Sequence, residues 1–291
     1  DLEGLEQSFR NVFANVPASA GNAATAIADL NTLTGATGPL LESLSSQMLE
    51  LSRITGTDVA TNITATHRGF AAFSIAVEDQ AKALDYLFKV SQQTGVGVAT
   101  IGESLAQYAP ILQEFGFSFK ESAALIGQFS KAGLDAGGML SGLKMGLKKF
   151  AEAGIPAKDA LVGVVQKMQE LGPGAAQTSL ALDAFGSRAG INLVKAVNSG
   201  ALSLKDFIAQ VEKAPNTIMD TAQSTSDFAE SFTLLKNKLV LALEPLGKRL
   251  FEAIDKMTPA LLKVVGVIAS LAERFAALSP ETQTFLIGFG A

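Results

Sequence analysis

The chain has 291 residues, is 48% apolar and carries a formal net charge of -5, enough apolar content to bury a sizeable core. It contains no Cys, which excludes disulfides, thiolate metal sites and thiol nucleophiles, and His67 is its only imidazole. Residues 1–50 hold six acids (Asp1, Glu3, Glu6, Asp29, Glu42, Glu50) against Arg10 alone, and no basic footprint for sequence-specific nucleic-acid binding is present.

Trp is absent, the only Tyr are Tyr86 and Tyr108, and strand-type alternation is scarce. The fold class expected is therefore all-α. Residues 1–50 read as an N-terminal helical segment with helices over Leu2–Ala14, Ala23–Leu33 and Pro39–Arg53. Asn15-Val16-Pro17 and Gly35-Ala36-Thr37-Gly38 act as breakers between them.

From 51 to 215 a short device recurs: a Gly, an apolar residue, then a helix-capping or first-turn residue. It marks corners at Gly56, Gly95, Gly116, Gly133, Gly154 and, more loosely, Gly200. Gly accepts the left-handed conformation that ends a helix, and the next apolar residue folds back on the last turn. Ser118, Asp135 or Ser203 then caps the next helix, and Pro156 suits a first turn.

Between corners, Ala81–Gln93, Ala99–Glu114, Lys120–Lys131, Met139–Ala153 and Lys158–Leu171 carry apolar residues at helical spacing. The corner spacing is too irregular for a solenoid, so a compact bundle of short helices is expected. Gly138, Gly142 and Gly146, at i, i+4 and i+8, form one bare helix face suited to close packing.

After Pro215 the pattern changes, and 216–280 reads as one long amphipathic helix. Its seam is Phe228, Phe232, Leu235, Leu239, Leu246, Leu250, Ile254, Met257, Leu261, Val264, Ile268, Leu271, Phe275 and Leu278, with Ala242 filling the same rhythm. Alternating steps of three and four are a coiled-coil seam suited to self-association, and the consecutive fours around Pro245 are a stutter at which a kink is expected. The mix of Leu, Ile and Val leaves the number of strands open, three being favoured.

Residues 281–291 look like the start of a truncated apolar segment, and with no Met at position 1 the chain reads as part of a longer polypeptide. Pro259–Leu278 is the best candidate for a membrane span, but Lys263, Glu273 and Arg274 make it a poor one.

Candidate chemistry is thin. His67 has no second His or Cys to complete a site. Glu78 with Asp79, and Asp220 with Asp227, are carboxylate pairs in stretches that read as solvated helix. The helix-turn-helix rhythm of Phe119–Ile126 is followed by Ala-Gly-Gly-Met rather than a base-reading helix. No catalytic, cofactor-binding or metal-ligating residue is assigned.

Four stretches, "LSRITGTDV" (51–59), "KALDYLFKVSQQTGV" (82–96), "FGFSFKESAALIGQFSKAGLDA" (115–136) and "FGSRAGINLVKAV" (185–197), resemble the core region of TP901-type phage tail tape measure proteins. "STSDFAESFTLLKNKLVLALEPLG" (224–247) is similar to the stretch C-terminal to that core in the same family, so the resemblance runs in order over about 50–280.

It implies a structural protein of the virion, made in the host cytoplasm, that lies in the tail lumen, sets tail length during assembly and leaves at DNA ejection. Tail tube, tail tip and assembly chaperone proteins are the implied partners, with host-membrane contact at ejection. The rival reading is a membrane-active or pore-forming helical protein, prompted by a mean hydropathy of +0.29 and the glycine face.

Overall fold

The computed structural model describes residues 2–152, 154–200, 202 and 204–254. Among them there are thirteen α-helices and no strand. The first seven are α1 (Leu2–Asn15), α2 (Ala20–Thr34), α3 (Gly38–Thr55), α4 (Val59–Ala72), α5 (Val77–Thr94), α6 (Val98–Glu114) and α7 (Phe119–Lys131). The remainder are α8 (Ala136–Glu152), α9 (Ala157–Leu171), α10 (Ala175–Asn198), α11 (Leu204–Lys213), α12 (Ile218–Ser224) and α13 (Phe228–Ile254).

The described residues up to Asn237 form one compact unit and those from Lys238 a second. In the first unit α3 runs across residue 50, and α2 and α3 pack on α4. The 1–50 segment thus shares a core with the helices after it, because Leu41, Leu44, Met48 and Leu51 are fully buried along one side of α3.

The centre is the crossing of α4 and α6, flanked by the pair α5 and α7. Stripes at helical spacing supply its contents: Ile63 and Phe70 from α4, Leu84, Leu87 and Phe88 from α5, Ile101 and Leu105 from α6, Phe129 from α7. The crossing is close because two glycines meet in it. A Cβ on Gly102 would stand 2.7 Å from the Ala65 carbonyl oxygen, and one on Gly69 would stand 2.9 Å from the Gly102 carbonyl oxygen. Any side chain there would hold the two backbones apart.

The helix ends obey local rules. At the α6–α7 corner Gly116 has φ 81°, its N–H donates to the Gln113 carbonyl (2.9 Å) and the Phe117 N–H to the Leu112 carbonyl (2.9 Å), a complete Schellman motif. Ser118 then opens α7 with a reciprocal capping box to Glu121. Gly133 repeats the device, its N–H reaching the Ser130 carbonyl and the Leu134 N–H the Phe129 carbonyl.

One corner needs no glycine. Between α4 and α5, Ser74 adopts φ 53° while its N–H and that of Ile75 close the same two bonds, to the Ala71 and Phe70 carbonyls. Inside α10, Gly186 (φ 74°, ψ 175°) breaks the helix into two halves that pack together through Gly190 and Ala181.

The helix expected over 216–280 is not continuous. Thr217 opens α12 with a capping box to Asp220, α12 stops at Ser224, and α13 starts only at Phe228. The cause is the run Ser224-Thr225-Ser226-Asp227, whose side chains compete for backbone partners. Ser224 and Thr225 hydroxyls donate to the Thr221 carbonyl (2.9 and 2.8 Å), and the Asp227 carboxylate accepts the Ala229 N–H (2.7 Å). From there α13 extends through Pro245 to Ile254, while seam positions 257–278 and segment 281–291 lie outside the described residues.

Candidate functional site

Amphipathic helices ordinarily turn their apolar side inward. The first turns of α13 do the reverse. Phe228 is 76% exposed, Phe232 44% and Leu235 56%, with the two phenyl rings stacked at 6.4 Å between centroids. In the second unit Leu239, Val240 and Leu243 are also exposed. The steps 228, 232 and 235 place the first three of these residues on one stripe of the helix.

The polar edge of the same helix is the one held by the protein. Asn237 is only 3% exposed, and its Nδ2 donates to the carbonyls of Phe13 and Ala18 (3.0 Å each), with the Val16 carbonyl at 3.4 Å. The Phe13 carbonyl lies in the last turn of α1, and those of Val16 and Ala18 lie in the connection to α2. Backbone acceptors of this kind need partners once buried.

Glu230, two turns earlier on the same edge, accepts from Arg53 Nη1 at 3.0 Å. Arg53 Nε holds Glu50 at 2.6 Å, while its Nη2 donates to the Ala222 carbonyl (3.0 Å) and the Thr225 hydroxyl (3.3 Å). One guanidinium on α3 thus grips the end of α12, the break and the start of α13 through charge-assisted bonds, the stronger class.

At the head of α12, the Ile218 N–H donates to Asp85 Oδ1 at 3.0 Å, and Gln47 approaches the other carboxylate oxygen at 3.4 Å. Burial pushes the Asp85 carboxyl above its ordinary value, against the lowering effect of the Ile218 bond. Ile218 and Ala222 supply the apolar part of the attachment. Beneath it lies an open cavity of about 380 Å³ lined by Arg53, Glu50, Asp220, Gln223 and Leu234 among others.

The other positions singled out by sequence fall elsewhere. The six corner glycines, Gly56, Gly95, Gly116, Gly133, Gly154 and Gly200, stand at helix ends with φ between 66° and 81°. They are dispersed through the bundle and converge on nothing. Asp58, Ser118 and Asp135 accept N–H bonds at the starts of α4, α7 and α8. Pro156 stands at the N-cap just before α9, and Ser203 lies outside the described residues.

Of the glycine face, Gly146 packs directly on Phe185 and the Ala184 carbonyl of α10, whereas Gly138 faces its own cap, Asp135. The surroundings of Gly142 are outside the described residues. His67 is desolvated, which lowers its pKa, and its Nδ1 is buried with no hydrogen-bond partner.

Glu78 and Asp79 lie exposed in the first turn of α5. Asp220 caps α12, and the Thr217 N–H lowers its pKa, the opposite of what a general acid requires. Among the described residues no group of three or more His, Asp or Glu side chains converges as a metal site.

These features define an all-helical protein whose distinctive surface is an apolar helix edge turned to solvent and clamped from behind. The phage-related minor tail protein family matches residues 6–284, and the chain belongs to that family. The tape measure protein of Pneumococcus phage Dp-1 is 24% identical over 260 residues, covering 83% of this chain and 22% of that protein. The chain therefore spans about a fifth of the length of this curated relative. No solved structure matches it.

Proposed function

We propose that this chain is the helical core portion of a tape measure protein: a structural, non-enzymatic component that lies in the tail lumen, sets tail length during assembly and is released at DNA ejection. Family membership and the name of the phage Dp-1 relative support the assignment. The observation that supports it is the exposure of Phe228, Phe232 and Leu235, which we read as an assembly surface rather than a reaction site.

Copies associate along that stripe, with three strands favoured and the seam continuing in sequence to Leu278. Tail tube, tail tip and assembly chaperone proteins are the remaining partners. The virion tail is the location, with the host envelope involved at ejection.

The test is made in the parent phage. An in-frame duplication of residues 51–215 is expected to lengthen tails by on the order of 250 Å if that stretch lies helical in the lumen, at about 1.5 Å per residue. Electron microscopy reads it, and unchanged tail length overturns the proposal. In solution, sedimentation is expected to show an oligomer that Leu239→Lys and Leu261→Lys abolish.

A membrane-active role is the second reading, favoured by Lys236 and Lys238 flanking the exposed stripe, a pattern of interfacial helices. No described helix is long and apolar enough to cross a membrane. Dye release from anionic liposomes supports this second reading, and its absence counts against it.

A further inference from the structure

The clamp and the stripe lie on opposite sides of one helix, and this fixes how copies can meet. With Phe228, Phe232, Leu235 and Leu239 as the seam, Glu230 and Asn237 fall at the heptad position farthest from it. These are the residues bound by Arg53 and by the α1–α2 carbonyls. Only 20% of the Glu230 side chain and 3% of Asn237 remain exposed, so the roll of the helix about its axis is set.

We infer that Arg53 and Asn237 are positioning residues: they fix the roll of α13 so that Phe228, Phe232 and Leu235 face a second copy of this chain, while each copy's α1–α7 bundle stays attached on the outer edge of the associated helices. The inference rests on self-association through the seam, proposed above. It adds that association buries the stripe without unfastening the clamp.

The charge pattern beside the stripe suits a second copy. The flanking positions are Ala229, Ser231, Lys236 and Lys238, and in a parallel, in-register pair Lys236 stands against Ser231 and Lys238 against Leu243. No like charges face each other, so association along these turns carries no repulsive pair. The rear edge is also polar, and its Asn237 amide is already spent on carbonyls of its own chain. Turning that edge toward a partner would leave those carbonyls unpaired.

The experiment uses the full 291-residue chain and its Arg53→Gln/Asn237→Ala double variant. Sedimentation measures association, and hydrogen exchange compares residues 13–18 and 218–237 in dilute and associated samples. The expected results are association weakened roughly tenfold or more in the double variant, since an unfixed helix must be ordered on binding, and exchange in both segments of the parent that does not quicken on association.

Leu235→Lys is expected to abolish association with those segments still protected. Undiminished association of the double variant, or faster exchange at 13–18 and 230–237 in the associated parent, overturns the inference while self-association stands. A parent chain that stays monomeric removes both. If the double variant loses its folded bundle, the exchange comparison on the parent still decides.

Discussion

Gly102→Ala adds one methyl group at the tightest point of the bundle. That Cβ would lie 2.7 Å from the Ala65 oxygen, 2.9 Å from the Ala65 carbonyl carbon and 3.1 Å from the Thr66 Cα. All three are main-chain atoms, so no rotamer change relieves the overlap, and restoring ordinary contact at 3.4 Å requires α4 and α6 to part by about 0.7 Å. Ile63, Ile101 and Leu105, each fully buried at the crossing, lose contact as they part.

Overpacking of this kind costs about 1–3 kcal/mol, while replacing a helical Gly by Ala returns about 0.8–1 kcal/mol. The net expectation is a loss of up to about 2 kcal/mol, or a fall in Tm of up to roughly 8 °C for a chain of this size. Gly163→Ala is the control: it makes the same chemical change inside α9, where a new Cβ meets nothing within 4 Å. It should gain up to about 1 kcal/mol from helix propensity alone. Thermal unfolding followed by circular dichroism compares the two. If Gly102→Ala melts as high as Gly163→Ala, which shares the propensity gain without the overlap, the close crossing is not the constraint.

Ser118→Ala removes one side of the α7 capping box and is expected to cost about 1 kcal/mol; urea unfolding reads it, and an unchanged midpoint would count against the cap. The second expectation concerns acid. Burial alone would raise the pKa of Glu121, but its bonds with Lys158 and Ser118 outweigh that and hold it below the ordinary value of 4.5. A carboxyl whose folded pKa is depressed contributes stability above its unfolded value and loses it as pH falls through the folded one. Lys158→Gln should therefore flatten the decline in Tm below about pH 4.5 relative to the parent. Parallel pH profiles would remove the ion pair from the account.

Much of the fold is written in short local stretches. Gly116-Phe117-Ser118 and Gly133-Leu134-Asp135 spell the end of one helix and the start of the next within a few residues, and the bonds that close them span at most five positions. The stripes Leu84, Leu87, Phe88 and Ile101, Leu105 are likewise legible, because a helical repeat alone decides which residues share a side.

Ser74 escapes such a reading, since its corner makes the same bonds without a glycine. The break at 225–227 also escapes it. The 3-4 rhythm from Phe228 onward suggests one long helix, and the bonds that Ser224, Thr225 and Asp227 make to the backbone disclose the stop before it.

Glycine shows the limit most clearly. Gly138, Gly142 and Gly146 have the ordered spacing of a packing face, yet the closest crossing is made by Gly69 and Gly102, 33 residues apart and with no shared pattern. Spacing along one helix identifies a bare face, but the element that approaches it comes from elsewhere in the chain.

The same division governs α13. The sequence by itself determined the all-helical class, the glycine corners and the membership of the stripe from Phe228 to Leu239, because each arises from backbone preferences and helical repeat within a few turns. Tertiary structure alone decided that the stripe faces outward. That choice depends on Asn237 meeting carbonyls more than 200 residues earlier, and on Arg53 reaching Glu230 across 177 positions. Buried polar groups take the partners that folding brings within about 3 Å, wherever they lie in the chain.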